Sequence, residues 1–137
     1  MKKLIPILLL LSLVILSGCS KEQNKEQNKD QVVLEAPKES SIVTEDLKIQ
    51  LKGKLMGEGL DYVFYQLEDG HTYLASGRID RNQDGAFDIQ IKLDKPPDNH
   101  YIGLFFYADE NNDGEFDPEV DGQTVLKNVN LQYQPSS

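Results

Sequence analysis

The residues whose types and order could do chemistry lie between 109 and 121. They read Asp109-Glu110-Asn111-Asn112-Asp113-Gly114-Glu115-Phe116-Asp117-Pro118-Glu119-Val120-Asp121, with seven carboxylates and no basic side chain. A run of one sign at this density repels itself unless water or a cation answers it. Its spacing is also ordered, as D-x-N-x-D-G-x-x-D. Side-chain oxygens at positions 1, 3 and 5, a glycine at 6 for a sharp bend, a backbone carbonyl at 7 and a further carboxylate at 9 suit a hard cation that takes six to eight oxygens. The expected ligands are Asp109, Asn111, Asp113, the carbonyl of Glu115, Asp117 and Asp121, and the expected cation is Ca2+. The competing reading of the same residues is a solvated acidic loop in which Asn112-Asp113-Gly114 makes an ordinary turn.

The run resembles the front of an EF-hand-type calcium loop, with two departures. Position 12, where a bidentate acid is expected, is Val120, flanked by Glu119 and Asp121, either of which could substitute. No helix is predicted on either side. The pattern D-x-N-x-D-G-x-F-D also occurs 29 residues earlier, where Asp80, Asn82, Asp84 and Asp88 form a possible second loop. There Arg81 brings a positive charge and Ile89-Gln90-Ile91 already alternates as strand, so an ordinary Asp-Gly hairpin competes. In a shared site, Asp80 or Asp84 would complete the 109–121 cage. Affinities of about 0.1–1 mM are expected of extracellular modules.

Other chemistries are poorly provided for. The two histidines, His71 and His100, sit in turns outside any nucleophile motif, and no G-x-S-x-G, H-E-x-x-H or phosphate-cradling glycine loop occurs. The pair could meet and hold a transition metal, although turn histidines are more often solvated. Carboxylates are abundant enough for a glycosidase-like dyad, but a small sandwich without a cleft argues against one, and the chain reads as a non-enzyme. The formal net charge of −9 opposes nucleic-acid binding, which needs a basic footprint.

The elements that must carry these residues read as strands. Leu47, Ile49 and Leu51 alternate with Lys48, Gln50 and Lys52. Tyr62–Leu67 is apolar on both faces except Gln66, as in a central strand. Thr72–Ile79 is a third strand, and Phe87, Ile89, Ile91 and Leu93 mark a fourth. Tyr101–Ala108 is an aromatic, central fifth. Val125–Tyr133 closes the domain with Val129, Leu131 and Tyr133 inward. No stretch keeps a helical period, so the expected fold is all-β: a single small antiparallel β-sandwich of six or seven strands. If successive strands are antiparallel, the turns at 56–59, 80–85 and 109–124 gather at one acidic pole. The turns at 68–71 and 95–100, with both histidines, gather at the other.

The closing strand from Val125 to Leu131, the Asp84-Gly85-Ala86-Phe87 turn and the run from Tyr107 to Asp117 resemble the prealbumin-like or carboxypeptidase-regulatory-like sandwich domains and related bacterial surface modules. The resemblance spans about 90 residues and implies a binding or scaffold module more often than an enzyme. Eight aromatics (Tyr62, Phe64, Tyr65, Tyr73, Tyr101, Phe105, Phe106 and Tyr107) keep a carbohydrate- or peptide-binding surface open as an alternative. A protein partner or inhibitor domain that adds a strand at its edge is another.

The chain opens with a positive Met1-Lys2-Lys3 and thirteen largely apolar residues, Leu4–Leu16, too few for a comfortable span. Leu16-Ser17-Gly18-Cys19 resembles the lipobox of bacterial lipoproteins. The resemblance implies cleavage before Cys19 and lipidation of that residue, the only cysteine in the chain. Residues 1–18 are thus expected as a signal peptide. Loss of Lys2 and Lys3 takes the 14 bases to 12 and the net charge from −9 to −11. Residues 19–41 repeat Lys-Glu-Gln-Asn and read as a disordered spacer, in which Val32-Val33-Leu34 is an apolar interruption that could pair loosely with the domain. The sandwich is expected over 42–137. The expected location is the bacterial cell envelope, facing outside the cytoplasm and held to the membrane by lipid, with an envelope protein or glycan as possible partner.

Overall fold

The computed structural model describes residues 31–136. The expected signal peptide, Cys19 and the spacer as far as residue 30 lie outside the described residues. The rest forms eight strands: β1 (Val32–Ala36), β2 (Ile42–Val43), β3 (Lys48–Leu55), β4 (Tyr62–Glu68), β5 (Tyr73–Asp80), β6 (Ala86–Lys92), β7 (Tyr101–Tyr107) and β8 (Val125–Tyr133). One sheet has the order β1-β3-β6 and the other β2-β8-β7-β4-β5. Every pairing is antiparallel except that of β2 with β8.

Alternation in the sequence explains the layers. In β3, Ile49, Leu51 and Leu55 are buried while the lysines and Gln50 between them face water, the period-2 pattern of a half-buried strand. In β7, Ile102, Leu104 and Phe106 are fully buried. They join Val63, Leu67, Leu74, Ile79, Phe87, Val129 and Leu131 in one core shared by the two sheets. β4 and β7 are central in the larger sheet, as their apolar sequences require.

Eight strands are one more than the upper expectation of seven, and β1 and β2 lie outside the six segments read from the sequence. The sandwich begins at β1, ten residues before the expected boundary at 42. Val32 pairs with Leu55 and is 1% exposed, whereas neighbouring Val33 is 45% exposed. One buried valine and the free edge of β3 hold this segment to the sheet despite its polar surroundings. β2 is only two residues long and lies against the end of β8.

The loops gather at two poles as the antiparallel order dictates. At the first, Leu55 N–H donates to the Gly85 carbonyl (2.9 Å), Arg81 N–H to the Asp61 carbonyl (2.7 Å) and Tyr62 Oη to Asp109. At the second, Asp98 N–H donates to Asp69 (2.9 Å) and Tyr133 N–H to the His100 carbonyl (2.9 Å). The described chain begins at the first pole, where Gln31 accepts the Met56 N–H (2.8 Å).

Candidate metal centre

The acidic loop joins β7 to β8 and folds back over the outer face of the larger sheet. Phe116 fastens it there. Its ring lies 5.5 Å from that of Phe64 and 5.2 Å from that of Tyr107, aromatic packing of a kind that adds about 0.5–1.5 kcal/mol per pair. Beside it the Arg78 guanidinium stacks over Tyr62 at 3.8 Å and its Nε donates to Asp80 (2.7 Å).

Asp109 occupies the inner end of the loop. Its Oδ2 accepts from Tyr62 Oη and from the Gly114 N–H (2.7 Å). Its Oδ1 is buried with no hydrogen-bond partner among the described residues. Burial works to raise the Asp109 carboxyl. The Tyr62 hydroxyl and the backbone N–H groups of Gly114, Asn112 and Asp113 outweigh it and hold the group below the usual carboxylate range. Reciprocally, the hydrogen bond to Asp109, with burial behind it, raises the Tyr62 phenol, so the proton stays on the tyrosine and the charge on Asp109. Gly114 reaches this position with φ of 82°, a left-handed conformation that explains glycine at position 6 of the motif, and Gly85 at φ of 77° does the same in the earlier copy.

The other expected ligands divide. Asn111 and Asp113 are exposed and turned on one another: Asn111 Nδ2 donates to Asp113 Oδ2 (3.0 Å), and Asp113 Oδ1 accepts the Glu115 N–H (2.9 Å). Asp117 is exposed and its Oδ1 accepts the Glu119 N–H (2.9 Å). Asp121, expected to complete the cage, has a different task. It is fully buried, with Oδ1 accepting the Glu110 N–H (2.7 Å) and Oδ2 the Asp117 N–H (2.8 Å). Its two oxygens tie the ends of the loop together, as a carboxylate with no access to water must do to be tolerated.

Among the described residues no three His, Cys, Asp or Glu side chains stand close enough to hold a metal ion. The fit to Ca2+ is therefore one of donor type, from a mixed set of Asp, Asn and backbone oxygens around a buried Asp109 oxygen that lacks a donor. The earlier copy is not gathered. Asp80 is held by Arg78, Asp84 Oδ1 caps the Ala86 N–H (3.0 Å), and Asp88 lies on β6 of the other sheet, bonded to Gln50. Nor do the histidines supply a site. His71 is exposed, and the His100 ring meets the Tyr133 carbonyl at Nδ1 (3.0 Å).

Asp69, at the second pole, went unsignalled. It is 1% exposed and accepts the N–H groups of His71 (3.0 Å), Thr72 (2.8 Å) and Asp98 (2.9 Å) as well as the Thr72 hydroxyl. The backbone N–H groups of Asp98 and Thr72 hold its carboxyl far below the usual range. The only sequence hint was an Asp-Gly turn, which gives the aspartate's place and not its burial.

No protein-family model and no curated protein matches the chain. Among solved structures, an engineered protein known from a crystal structure is similar, with 15% identity and a TM-score of 0.43 over 77% of this chain. The match spans 20% of that molecule's length.

Proposed function

We propose that this chain is a lipid-anchored, non-catalytic module of the bacterial cell envelope, facing outside the cytoplasm, whose acidic loop takes up Ca2+. The observation that carries the cation reading is the buried Asp109 Oδ1, which lacks a donor within a loop of spaced oxygens. A partly desolvated carboxylate oxygen without a partner is costly, and a hard cation answers it. Asp109, Asn111, Asp113 and the Glu115 carbonyl supply the oxygens, with Asp117 joining directly or through water. Asp121 braces the loop from behind. The anchor reading is supported by Leu16-Ser17-Gly18-Cys19 and by the polar spacer that follows.

Thermal melts of residues 20–137 in 5 mM CaCl2 and in chelator test the cation. For a dissociation constant of about 0.1–1 mM, linkage adds about 1–2 kcal/mol, or roughly 5–10 °C in Tm. Asp109→Asn removes that increment. Identical wild-type melts in the two solutions dispose of the cation.

A further inference from the structure

A groove of about 470 Å3 lies at the second pole, on the outer face of β7 and β8 under the β1–β2 connection. Ser40, Asn99, His100, Tyr101, Asn130, Leu131 and Gln132 line it. No Asp, Glu, Lys or Arg lines it, in a chain in which 27% of residues are charged. It is within the size range of small-ligand sites.

Its polar groups are held in place. Asn99 donates from Nδ2 to the Asp69 carbonyl (2.9 Å) and accepts the Tyr101 N–H at Oδ1 (2.7 Å). The backbone of Asn130 donates to Glu39 Oε2 (3.0 Å) and accepts from Ser40 N–H (2.7 Å). Tyr101 Oη donates to Asn130 Oδ1 (3.0 Å). That bond leaves Tyr101 its acceptor lone pairs and Asn130 its two amide protons. Tyr101 itself is 40% exposed, an aromatic ring open to a partner.

The lining continues along the sheet in two rows. Across the β7–β8 register, Tyr101 faces Gln132, Gly103 faces Asn130 and Phe105 faces Asn128. Gly103 is the gap that lets the aromatic row close. A Cβ there would fall 2.6 Å from Phe105 Cε2 and 2.9 Å from Tyr101 Oη. Phe105 in turn stacks on Tyr107 with centroids 6.2 Å apart. The result is a row of aromatic faces beside a row of neutral amides.

From this pairing we infer that the groove binds a neutral oligosaccharide. One pyranose ring sets its apolar C–H face on Tyr101, its hydroxyls exchange hydrogen bonds with Asn130 and Gln132, and the next unit extends toward Phe105 and Asn128. The charge match decides the class. No lysine or arginine lines the groove, and the acids that flank its row, Glu39 bonded to the Asn130 N–H and Glu68 opposite Gly103, repel a phosphate or a carboxylate, whereas paired donors and acceptors beside a ring suit a ligand that is both hydroxylated and uncharged. A purely apolar ligand would strand the amides. The groove lies at the pole opposite the acidic loop and uses none of its residues.

The test applies the full-length chain to an array of neutral glycans (hexose, pentose and N-acetylhexosamine polymers) and to an array of uncharged peptides, with affinities then measured by titration of the responding hexasaccharide. The expected result is binding of at least one glycan, weakened at least about tenfold by Tyr101→Ala and by Asn130→Asp. Tyr73→Ala, an exposed tyrosine on β5 outside the groove lining, leaves affinity unchanged, and wild-type melting behaviour of the variants shows that they fold. The inference is overturned by silence across the glycan array, by binding that ignores both groove substitutions, or by response to peptides alone. Loss of the calcium response leaves the outcome unaltered.

Discussion

Buried carboxylates show how single residues organise both poles. Asp121 and Asp69 are enclosed aspartates in an acidic chain, and each survives because backbone N–H groups saturate it. Asp69 joins the 69–72 turn to the 94–100 connection and so shapes the floor on which Asn99 stands. Its folded-state titration lies below the ordinary value of about 3.9 for an aspartate in an unfolded chain. Between those two values the unfolded chain binds more protons, so stability rises with pH. The contribution is complete above about pH 5 and is lost as pH falls through the unfolded value toward the folded one. Asp109 acts with the same sign. Asp69→Asn should lower Tm by roughly 5–10 °C at pH 7 and flatten the fall of Tm between about pH 4 and pH 2. Melting profiles of variant and wild type that run parallel across that range would remove Asp69 from the acid response.

At the level of elements, β1 is the test of where the domain starts. Val32 is enclosed by the core, so Val32→Ala should cost about 2 kcal/mol in urea melts, while Val33→Ala on the open face should stay within about 0.5 kcal/mol. Equal effects at the two sites would make β1 a loose appendage. Strands β3 to β8 were legible because each carries several alternating or continuous apolar residues, enough to fix type and face. β1 offered only Val32-Val33-Leu34 inside a polar repeat, and its burial depends on the edge of β3, which no local pattern reports. β2 has two residues and no period to read. The acidic loop was legible as a loop and as an oxygen-rich motif. The division of its acids was not, because exposed Asp113 and buried Asp121 are the same residue type and differ only in which backbone N–H groups the fold brings to them. The aromatics were countable, but their sorting between core and outer face needed the β7–β8 register.

For the molecule as a whole, the two poles have separate chemistry. One carries the acidic loop and the start of the described chain, and the other a groove whose lining holds no Asp, Glu, Lys or Arg. No helix among the described residues is long and apolar enough to cross a membrane. Attachment through Cys19 is then tested by fractionation: Cys19→Ser should move the protein from the membrane fraction to the soluble one, and a variant that stays with the membrane would refute a lipid anchor at that residue. From Cys19 to Gln31 the chain can extend at most about 40 Å, and the described chain enters the sandwich at the acidic pole. This geometry also has a mechanical side. If the chain is anchored through Cys19 and a ligand is held by β7 and β8, as proposed, tension runs along the strand axes from β1 at one pole to β7 and β8 at the other. The β1–β3 ladder is then loaded in shear, its hydrogen bonds resisting together instead of opening one after another, and a short strand can hold against a pull that would unzip it from the side.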